Sequence, residues 1–241
     1  MERIAIISDI HGNLPALEAT LQDIRAREIA QIFCLGDLVG KGPHSARAAD
    51  ICRAACAQTV RGNWDEGIYK PNDNPTIQWH QRQLGQARLD YLRGLPNTIE
   101  LRLGGRSLRL FHASPTSVYD RVRMNDAPDK HEAMFANTDF TGFDSSPDVV
   151  GYGDIHSAYV KSFRGKILFN VGSVGNPLDG TQASYAIVEG ARGEPGGAFA
   201  LQLVRVPYDI ERAIAEAADA GMPELDEYAG ELRTGRYRRA G

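Results

Sequence analysis

The sequence has 241 residues, of which 42% are hydrophobic and 24% are charged, so the chain is long enough to bury a sizeable core. Its net charge of −4 gives no general attraction to nucleic acid, and its N-terminal apolar run is too short to span a membrane and lacks a secretory cleavage site. The three cysteines are odd in number, which argues against a disulfide framework, so we expect a cytoplasmic protein with reduced thiols.

Strands and helices alternate in the first third of the predicted structure. Apolar runs at 3–8, 31–36 and 58–60 predict strands. Helical periodicity at 14–28 and 45–56 predicts the two helices between them. This order is typical of a βαβ layer with parallel strands.

The rest of the chain has a different pattern. A helical stretch at 76–93 is followed, from about residue 98, by strand-like runs with short turns, which indicates a mixed or antiparallel sheet. A last helix at 209–220 has Asp209 as its N-cap and ends before Gly221. We therefore expect two sheets face to face with helices outside. The strand-like runs are 107–113, 148–153, 159–163, 166–172, 184–189 and 199–206.

Three further segments carry no strong periodicity. The stretches "PNDNPTIQ" (71–78) and "MNDAPDK" (124–130) contain residues typical of surface loops. The last residues, 223–241, end in the basic "RTGRYRRAG" and are predicted to form a helix or tail with a frayed, solvated end.

Side chains that bind metals follow several of the predicted strands. The carboxyl ends of strands are where α/β sheets gather ligands, and Asp, His and Asn suit hard to borderline divalent cations. Each cluster by itself is also typical of an ordinary polar turn, but three of the six histidines fall within these clusters. The clusters are "SDIHGN" with Asp9, His11 and Asn13, "LGDLVG" with Asp37, "RGNWDE" with Asn63 and Asp65, "LFHASP" with His112, and "GYGDIHS" with Asp154 and His156.

The order D-x-H, G-D, G-N-x-D, H, G-x-x-H resembles that of the calcineurin-like metallophosphoesterases, in particular their small bacterial branch of predicted phosphodiesterases and phosphatases. The stretches "LGDLVGKGP", "FHASP", "LFNVGSVGNP", "ASYAIVEG" and "RVPYDIERA" also resemble this branch, so the likeness extends over nearly the whole chain. The resemblance implies a single metallophosphoesterase domain over residues 1–241 with a four-layer α/β/β/α sandwich. This agrees with the two facing mixed sheets expected above.

The resemblance also implies a site for two divalent metal ions. It places one ion on Asp9, His11 and His156, the other on Asn63, His112 and position 154, and makes Asp37 the bridge between them. By the same resemblance, Asp37, Asn63 and His112 are catalytic, and a hydroxide held between the ions attacks phosphorus in line with the leaving oxygen. The expected substrate is a small phosphorylated molecule such as a nucleotide.

One departure from the family pattern lies at position 154. The family usually has Gly-His-x-His where this chain has Gly153-Asp154-Ile155-His156. A ligating Asp154 would make the second site rich in oxygen, which favours Mn²⁺ or Fe²⁺, with Mg²⁺, Zn²⁺ and Ni²⁺ as alternatives. It would also make the centre one charge unit less positive. The alternative is that Asp154 is too short to reach, so that the second ion is weakly held or absent.

A second departure is Trp64, because many relatives have a histidine there that protonates the leaving oxygen. A missing general acid matters least when the leaving group is a weak base, which favours phosphodiester or polyphosphate substrates over serine or threonine phosphate esters. Two alternatives stay open: a catalytically weakened phosphate- or nucleotide-binding regulatory protein, and a serine/threonine phosphatase-like phosphomonoesterase. A nuclease is disfavoured by the net charge.

Several other polar residues have two interpretations. Arg61, Lys41 and His44 are candidates for contacts with substrate phosphate, or else form surface salt bridges and solvated loops. Asp65 is predicted to cap a helix or to accept a hydrogen bond from a metal-binding histidine such as His11.

The two other histidines singled out, His80 and His131, lie in polar, helical segments and are expected to be exposed. Nothing in the sequence indicates the oligomeric state.

Overall fold

The computed structural model describes residues 1–191 and 196–238, and the described strands form two five-stranded sheets. The end of the predicted C-terminal tail, 239–241, lies outside the described residues. The strands are β1 (Glu2–Ile7), β2 (Gln31–Cys34), β3 (Gln58–Thr59), β4 (Thr98–Leu103), β5 (Arg106–Phe111), β6 (Val149–Tyr152), β7 (Tyr159–Phe163), β8 (Lys166–Asn170), β9 (Ala183–Gly190) and β10 (Phe199–Val206).

Both sheets are mixed. The first has the order β10-β9-β1-β2-β3, in which β1, β2 and β3 are parallel and β9 pairs antiparallel with both β1 and β10. The second has the order β4-β5-β6-β8-β7, in which β5, β6 and β8 are parallel and the edge strands β4 and β7 are antiparallel. The parallel strands at the centre of each sheet therefore end at one common edge.

Eight helices lie in the described part of the chain, and none of them is long and apolar enough to cross a membrane. They connect and cover the sheets, and the first two make the parallel β1-α1-β2-α2-β3 unit that the sequence predicted. The helices are α1 (Leu14–Ala26), α2 (Ser45–Ala55), α3 (Asn63–Gly67), α4 (Pro75–Leu84), α5 (Gln86–Arg93), α6 (Pro128–Ala133), α7 (Ile210–Asp219) and α8 (Leu225–Thr234).

The alternation of side chains along the strands explains the layers. Ile4 and Ile6 of β1 belong to an apolar core shared by both sheets, whereas Ala5 and Ile7 belong to a core shared with α1, α2, α4 and α5. Successive side chains of a strand point to opposite faces, so both faces of β1 are buried. The outer face of the second sheet is covered by a smaller aromatic cluster next to α6, which completes the predicted four layers.

Two helix boundaries differ from the sequence prediction. The stretch predicted as one helix over 76–93 is two helices, because Gly85 between them has φ +67°. The first of them begins inside the predicted loop 71–78, where Asn74 accepts hydrogen bonds from the amides of Thr76 and Ile77 and Pro75 opens the helix.

Two further differences lie outside these helices. The predicted loop 124–130 likewise runs into α6 at Pro128. The segment 223–241, predicted as a helix or tail, contains the helix α8 and is no such difference. The strand β4 was missed, although "TIELRL" alternates apolar and polar residues.

The expectation that His80 and His131 are exposed is wrong, since each is only 1% exposed. His80 lies on the inner side of α4, where its ring contacts the rings of Trp64 and Trp79. His131 lies beneath a loop, with Nε2 2.9 Å from the carbonyl oxygen of Arg123. The prediction fails because each of these polar helices carries its histidine on the face that is buried.

Arg109 is a fully buried cation in the second sheet. It donates two hydrogen bonds to Glu100 on the neighbouring strand, and others to Asn137 and to the carbonyl oxygens of Ala136 and Ser145. Every one of these acceptors except Glu100 lies in the long connection between β5 and β6. The side chain therefore fastens that connection to the sheet.

Candidate metal centre

The seven predicted metal ligands converge at the edge where the parallel strands of both sheets end. Each follows a strand directly or lies a few residues beyond it, as the rule for ligand sites in α/β sheets predicts. Asp9 and His11 follow β1, Asp37 follows β2, Asn63 opens α3 after β3, His112 follows β5, and Asp154 and His156 follow β6.

The backbone at this edge is unusually strained. Nine non-glycine residues in the described part of the chain have positive φ, and five of them are predicted ligands: Asp9, His11, Asp37, Asp154 and His156. A positive φ is costly for most residues, although Asp and His adopt it more readily. Hydrogen bonds between loops compensate: the amides of Asp9 and His11 donate to the carbonyl oxygens of Gly36 and Asp37, each at 2.9 Å.

One group of donors consists of Asp9, His11 and His156. The Nε2 atoms of the two imidazoles lie 3.2 Å apart, and Asp9 Oδ1 lies 3.2 Å from His156 Nε2 and 3.8 Å from His11 Nε2. All three side chains are buried, and their donor atoms lie within 4.8 Å of one another. That spacing is compatible with a single cation among them.

A second group surrounds His112. Its Nε2 atom lies 2.9 Å from Asn63 Oδ1 and 3.9 Å from Asp154 Oδ1. Asp37 lies between the groups, with Oδ2 3.6 Å from His11 Nε2 and Oδ1 3.6 Å from His112 Nε2. One carboxylate thus offers a different oxygen to each group, as a bridging ligand would.

The three histidines share one orientation. In each, Nδ1 lies within hydrogen-bond distance of a backbone carbonyl oxygen: Val39 for His11 (3.1 Å), Leu35 for His112 (2.7 Å) and Asn176 for His156 (2.6 Å). A carbonyl oxygen can only accept, so Nδ1 carries a proton and Nε2 is the ring nitrogen that faces the site. Each Nε2 offers its lone pair to a cation when the imidazole is neutral.

Burial and mutual charge set the protonation of the centre. Burial, together with the charge of His156, holds the pKa of His11 well below its usual value. Burial also lowers the pKa of His112, but the charges of Asp37, Asp9 and Asp154 outweigh it and raise that pKa to about 9. Burial raises the pKa of Asp37 well above its usual value, and Asp9 adds to this shift. Such opposed shifts are typical of functional sites.

The donor atoms fit divalent cations. Asp9 Oδ1 is buried and has no hydrogen-bond partner among the described residues, which is costly unless a cation occupies the space beside it. Carboxylate oxygens, an amide oxygen and neutral imidazole nitrogens are the ligands of Mn²⁺, Fe²⁺ and Zn²⁺ sites. The orphaned oxygen and the inward Nε2 atoms together favour bound metal over a purely structural cluster.

Asp65 helps to cap α3, as one of the two predictions has it, but from the third helical position and not as the N-cap residue, which is Gly62. The imidazole of His11 pairs with the Val39 carbonyl oxygen and not with Asp65. The fully buried carboxylate of Asp65 accepts from the backbone amides of Asp37 (2.7 Å), Leu38 (3.0 Å) and Gly62 (3.0 Å). Burial raises the pKa of Asp65, while these amides oppose the shift. Asp65 therefore holds the loop that carries Asp37.

Gly62 lies in contact with the same loop. A Cβ atom built on Gly62 would lie 2.1 Å from Asp37 Oδ1, far inside van der Waals contact, so only glycine leaves room for this carboxylate. At Gly67, in the same short helix, a Cβ atom would have no neighbour within 4 Å. The close approach at Gly62 is thus specific to the position of Asp37.

Asp154 has a partner that the sequence did not reveal. Arg121 Nε donates to Oδ2 at 2.8 Å and Nη2 donates to Oδ1 at 2.7 Å. Arg121 thus places a positive charge beside the carboxylate that stands where the family usually has a histidine. Its loop, "YDRVRM", contains two arginines, and nothing in the pattern singles out one of them.

A cavity of about 410 Å³ adjoins the centre. Trp64 and Arg121 line it, and both also contact centre residues, since the Trp64 amide donates to Asp37 Oδ1 at 2.8 Å. Lys41 and His80 line it as well.

The three residues considered for substrate phosphate all have protein partners. Lys41 Nζ lies 3.0 Å from Glu231 Oε2, and His44 Nε2 lies 2.9 Å from Glu216 Oε2. Arg61 donates to Asn97 Oδ1 at 2.6 Å. Lys41 lines the cavity, whereas His44 and Arg61 are not among its described lining residues.

Comparison with known proteins gives consistent results. The model of the calcineurin-like phosphoesterase superfamily domain matches residues 2–193. MJ0912, an uncharacterized protein of Methanocaldococcus jannaschii, is 32% identical over 251 residues, covering 92% of this chain and 94% of that protein. Phosphodiesterase YfcE of Escherichia coli strain K12 is 27% identical over 202 residues, covering 78% and 88%. The crystal structure of a metallophosphoesterase from Sphaerobacter thermophilus superposes with a TM-score of 0.75 and 27% identity, covering 97% of this chain and 99% of that one.

Proposed function

Because the chain belongs to the calcineurin-like phosphoesterase superfamily, we propose that it is a dinuclear metal-dependent phosphoesterase that hydrolyses phosphodiester or nucleotide polyphosphate bonds. The observation that carries the proposal is the position of Asp37, whose two oxygens face two separate groups of buried donors. The similarity to an Escherichia coli protein named a phosphodiesterase supports the choice of bond.

Two divalent cations would be held by residues of both sheets. One would be bound by Asp9, His11 and His156, the other by Asn63, His112 and Asp154, with Asp37 shared between them. The mixture of oxygen and imidazole donors favours Mn²⁺ or Fe²⁺. When bound, such ions acidify a water molecule and neutralise charge on the phosphoryl oxygens.

The protein's own residues prepare this site before substrate arrives. Backbone carbonyl groups fix the three imidazoles with Nε2 inward, and Asp65 fixes the loop of Asp37. Burial excludes water from the carboxylates and strengthens their interaction with cations. The expected reaction is direct hydrolysis in which these groups move little.

Neither Trp64 nor His80, which both line the cavity, is an obvious acid for the leaving group. The indole N–H of Trp64 is not acidic enough to donate a proton in this way. His80 lines the same cavity, but burial lowers its pKa to about 4, so it is neutral near pH 7. We therefore expect substrates whose leaving oxygen is a weak base, such as aryl diesters and dinucleoside polyphosphates.

The size of the cavity supports a small phosphorylated substrate. A volume of about 410 Å³ lies within the range of small-molecule sites. The free thiols of Cys34, Cys52 and Cys56 support a cytoplasmic location, where thiols stay reduced.

An assay with Mn²⁺ tests the proposal. We expect the metal-loaded protein to hydrolyse bis(p-nitrophenyl) phosphate, and Asp37→Asn to lower turnover by about 100-fold or more. Asp50→Asn is the matched control, because Asp50 lies on the surface of α2 and pairs with Arg88. Both variants remove one carboxylate charge. A loss of turnover in Asp37→Asn but not in Asp50→Asn would therefore come from the metal centre and not from the change in net charge.

Two alternatives have distinct outcomes in the same assay. A regulatory protein would bind nucleotide and metal without turnover, an alternative that the Asp154–Arg121 pair keeps open. A phosphomonoesterase would turn over alkyl phosphates faster than diesters or dinucleoside polyphosphates. A protein that binds no metal would contradict the proposed function entirely.

A further inference from the structure

Arg121 holds Asp154 with a two-point contact. Its Nε and Nη2 atoms donate to the two carboxylate oxygens at 2.8 and 2.7 Å, the strongest geometry of an arginine–carboxylate pair. The Asp154 side chain is 2% exposed and that of Arg121 is 47% exposed. The pair thus has its anion inside the centre and its cation on the solvent side.

The arginine uses the oxygen that faces the second donor group. Asp154 Oδ1 accepts from Arg121 Nη2 and is also the oxygen 3.9 Å from His112 Nε2. A carboxylate oxygen has two lone pairs, and the one in the hydrogen bond is unavailable to a metal ion. The guanidinium charge also offsets part of the attraction that the carboxylate would exert on a cation.

The first donor group differs in this respect. Asp9 Oδ1 lies beside His156 Nε2 and has no hydrogen-bond partner within the described residues. A cation that binds Asp9 Oδ1 displaces no hydrogen bond of that oxygen, whereas a cation that binds the Asp154 carboxylate competes with the two hydrogen bonds from Arg121. The two positions therefore differ in what an ion must overcome, although both contain carboxylate and imidazole.

We infer that Arg121 competes with the second cation for Asp154 and makes this position the weaker of the two. The inference rests on the dinuclear function proposed above. The first ion binds Asp9, His11 and His156, and the second binds when Arg121 loosens its hold on Asp154. Because Arg121 lines the cavity and is half exposed, its side chain has room to move.

The test is a calorimetric titration of the metal-stripped full chain with Mn²⁺. For Arg121→Gln we expect the weaker dissociation constant to fall about tenfold, while the tighter one changes by less than about twofold. Arg123→Gln is the matched control, since Arg123 is exposed two residues away in the same loop. Arg121→Lys should lower the weaker dissociation constant by an intermediate amount, because a lysine keeps the charge but cannot donate to both carboxylate oxygens in the two-point geometry of a guanidinium group.

A second pair of variants separates competition for the carboxylate from a general charge effect. In an Asp154→His background the arginine has no carboxylate to hold, so adding Arg121→Gln should change the weaker constant by less than about twofold. An equal tightening in both backgrounds would overturn the inference, because Arg121 would then act only through its charge.

The remaining outcomes are also decisive. If Arg121→Gln leaves the weaker constant unchanged, or weakens it, Arg121 supports Asp154 as a ligand and the inference is wrong. The proposed function survives that result, since the ions still bind. If neither the wild type nor any variant binds Mn²⁺, the proposed function fails and the inference fails with it.

Discussion

The buried carboxylate of Asp65 allows a quantitative test of how the site is held together. The change Asp65→Asn keeps the shape of the side chain and removes one accepting oxygen. In the native protein Oδ1 accepts from Leu38, and Oδ2 accepts from both Asp37 and Gly62. The best orientation of the amide keeps the two bonds at Oδ2 and points its NH₂ group at the Leu38 amide.

The cost of this change follows from the bonds lost. A hydrogen bond to a charged acceptor contributes about 1.5–3 kcal/mol, and a buried donor left without a partner costs about 1–3 kcal/mol. Asp65→Asn loses one such bond and places two donors against each other. We therefore expect it to lower the free energy of unfolding by about 2–4 kcal/mol. Because the same loop carries Asp37, Mn²⁺ affinity should fall as well.

Urea unfolding of the metal-stripped protein measures the first effect, and Mn²⁺ titration measures the second. The control is Asp50→Asn, whose exposed pair with Arg88 should contribute less than about 1 kcal/mol. If Asp65→Asn cost no more than Asp50→Asn and left Mn²⁺ affinity unchanged, the idea that Asp65 holds the loop of Asp37 would be refuted.

Three further changes test other parts of the structure. Gly62→Ala would put a methyl group 2.1 Å from Asp37 Oδ1, so Mn²⁺ affinity should fall about tenfold or more in a titration. Gly67→Ala is the control and should leave the affinity unchanged. Equal Mn²⁺ affinities of the two variants would contradict the steric reasoning. Burial lowers the pKa of His80 to about 4, so the unfolded chain takes up a proton near pH 6.5 before the folded chain does, and about 3 kcal/mol of stability should be lost as the pH falls from 6.5 to 4. His80→Gln should flatten the urea-unfolding profile in that window, and an unchanged slope would assign the acid sensitivity to other groups. Arg109→Met should cost about 3–5 kcal/mol in urea unfolding because it leaves a partly buried carboxylate without its cation, and a cost below about 1 kcal/mol would show that the ion pair is dispensable.

Much of the fold was readable from the sequence because its signals are local. The apolar periodicity of 14–28 corresponds to the buried face of α1, and Asp209 caps α7 as predicted, with its side chain accepting from the Arg212 amide. The single helix predicted for 76–93 failed because one glycine at positive φ separates two helices with similar periodicity. Periodicity reports the buried face of a segment better than its boundaries.

The convergence of the proposed ligands was predictable for a related reason. Asp9, Asp37 and His112 each directly follow or closely follow a strand, and parallel strands bring such positions to one edge. Arg121 was not predictable, because its contact with Asp154 joins a loop to a turn 33 residues later, and no periodic pattern relates them. The burial of His80 also depends on which way α4 packs, which short polar helices do not reveal.

The left-handed backbone at five of the proposed ligands limits how this centre could be redesigned. A replacement at Asp9, His11, Asp37, Asp154 or His156 has to bind the intended ion and also tolerate positive φ. Glutamate and threonine can bind an ion but adopt a positive φ less readily. The practical choices at these positions are therefore aspartate, asparagine, histidine and glycine. Attempts to change metal preference should therefore vary Asn63 and His112 first, since neither of them has a positive φ.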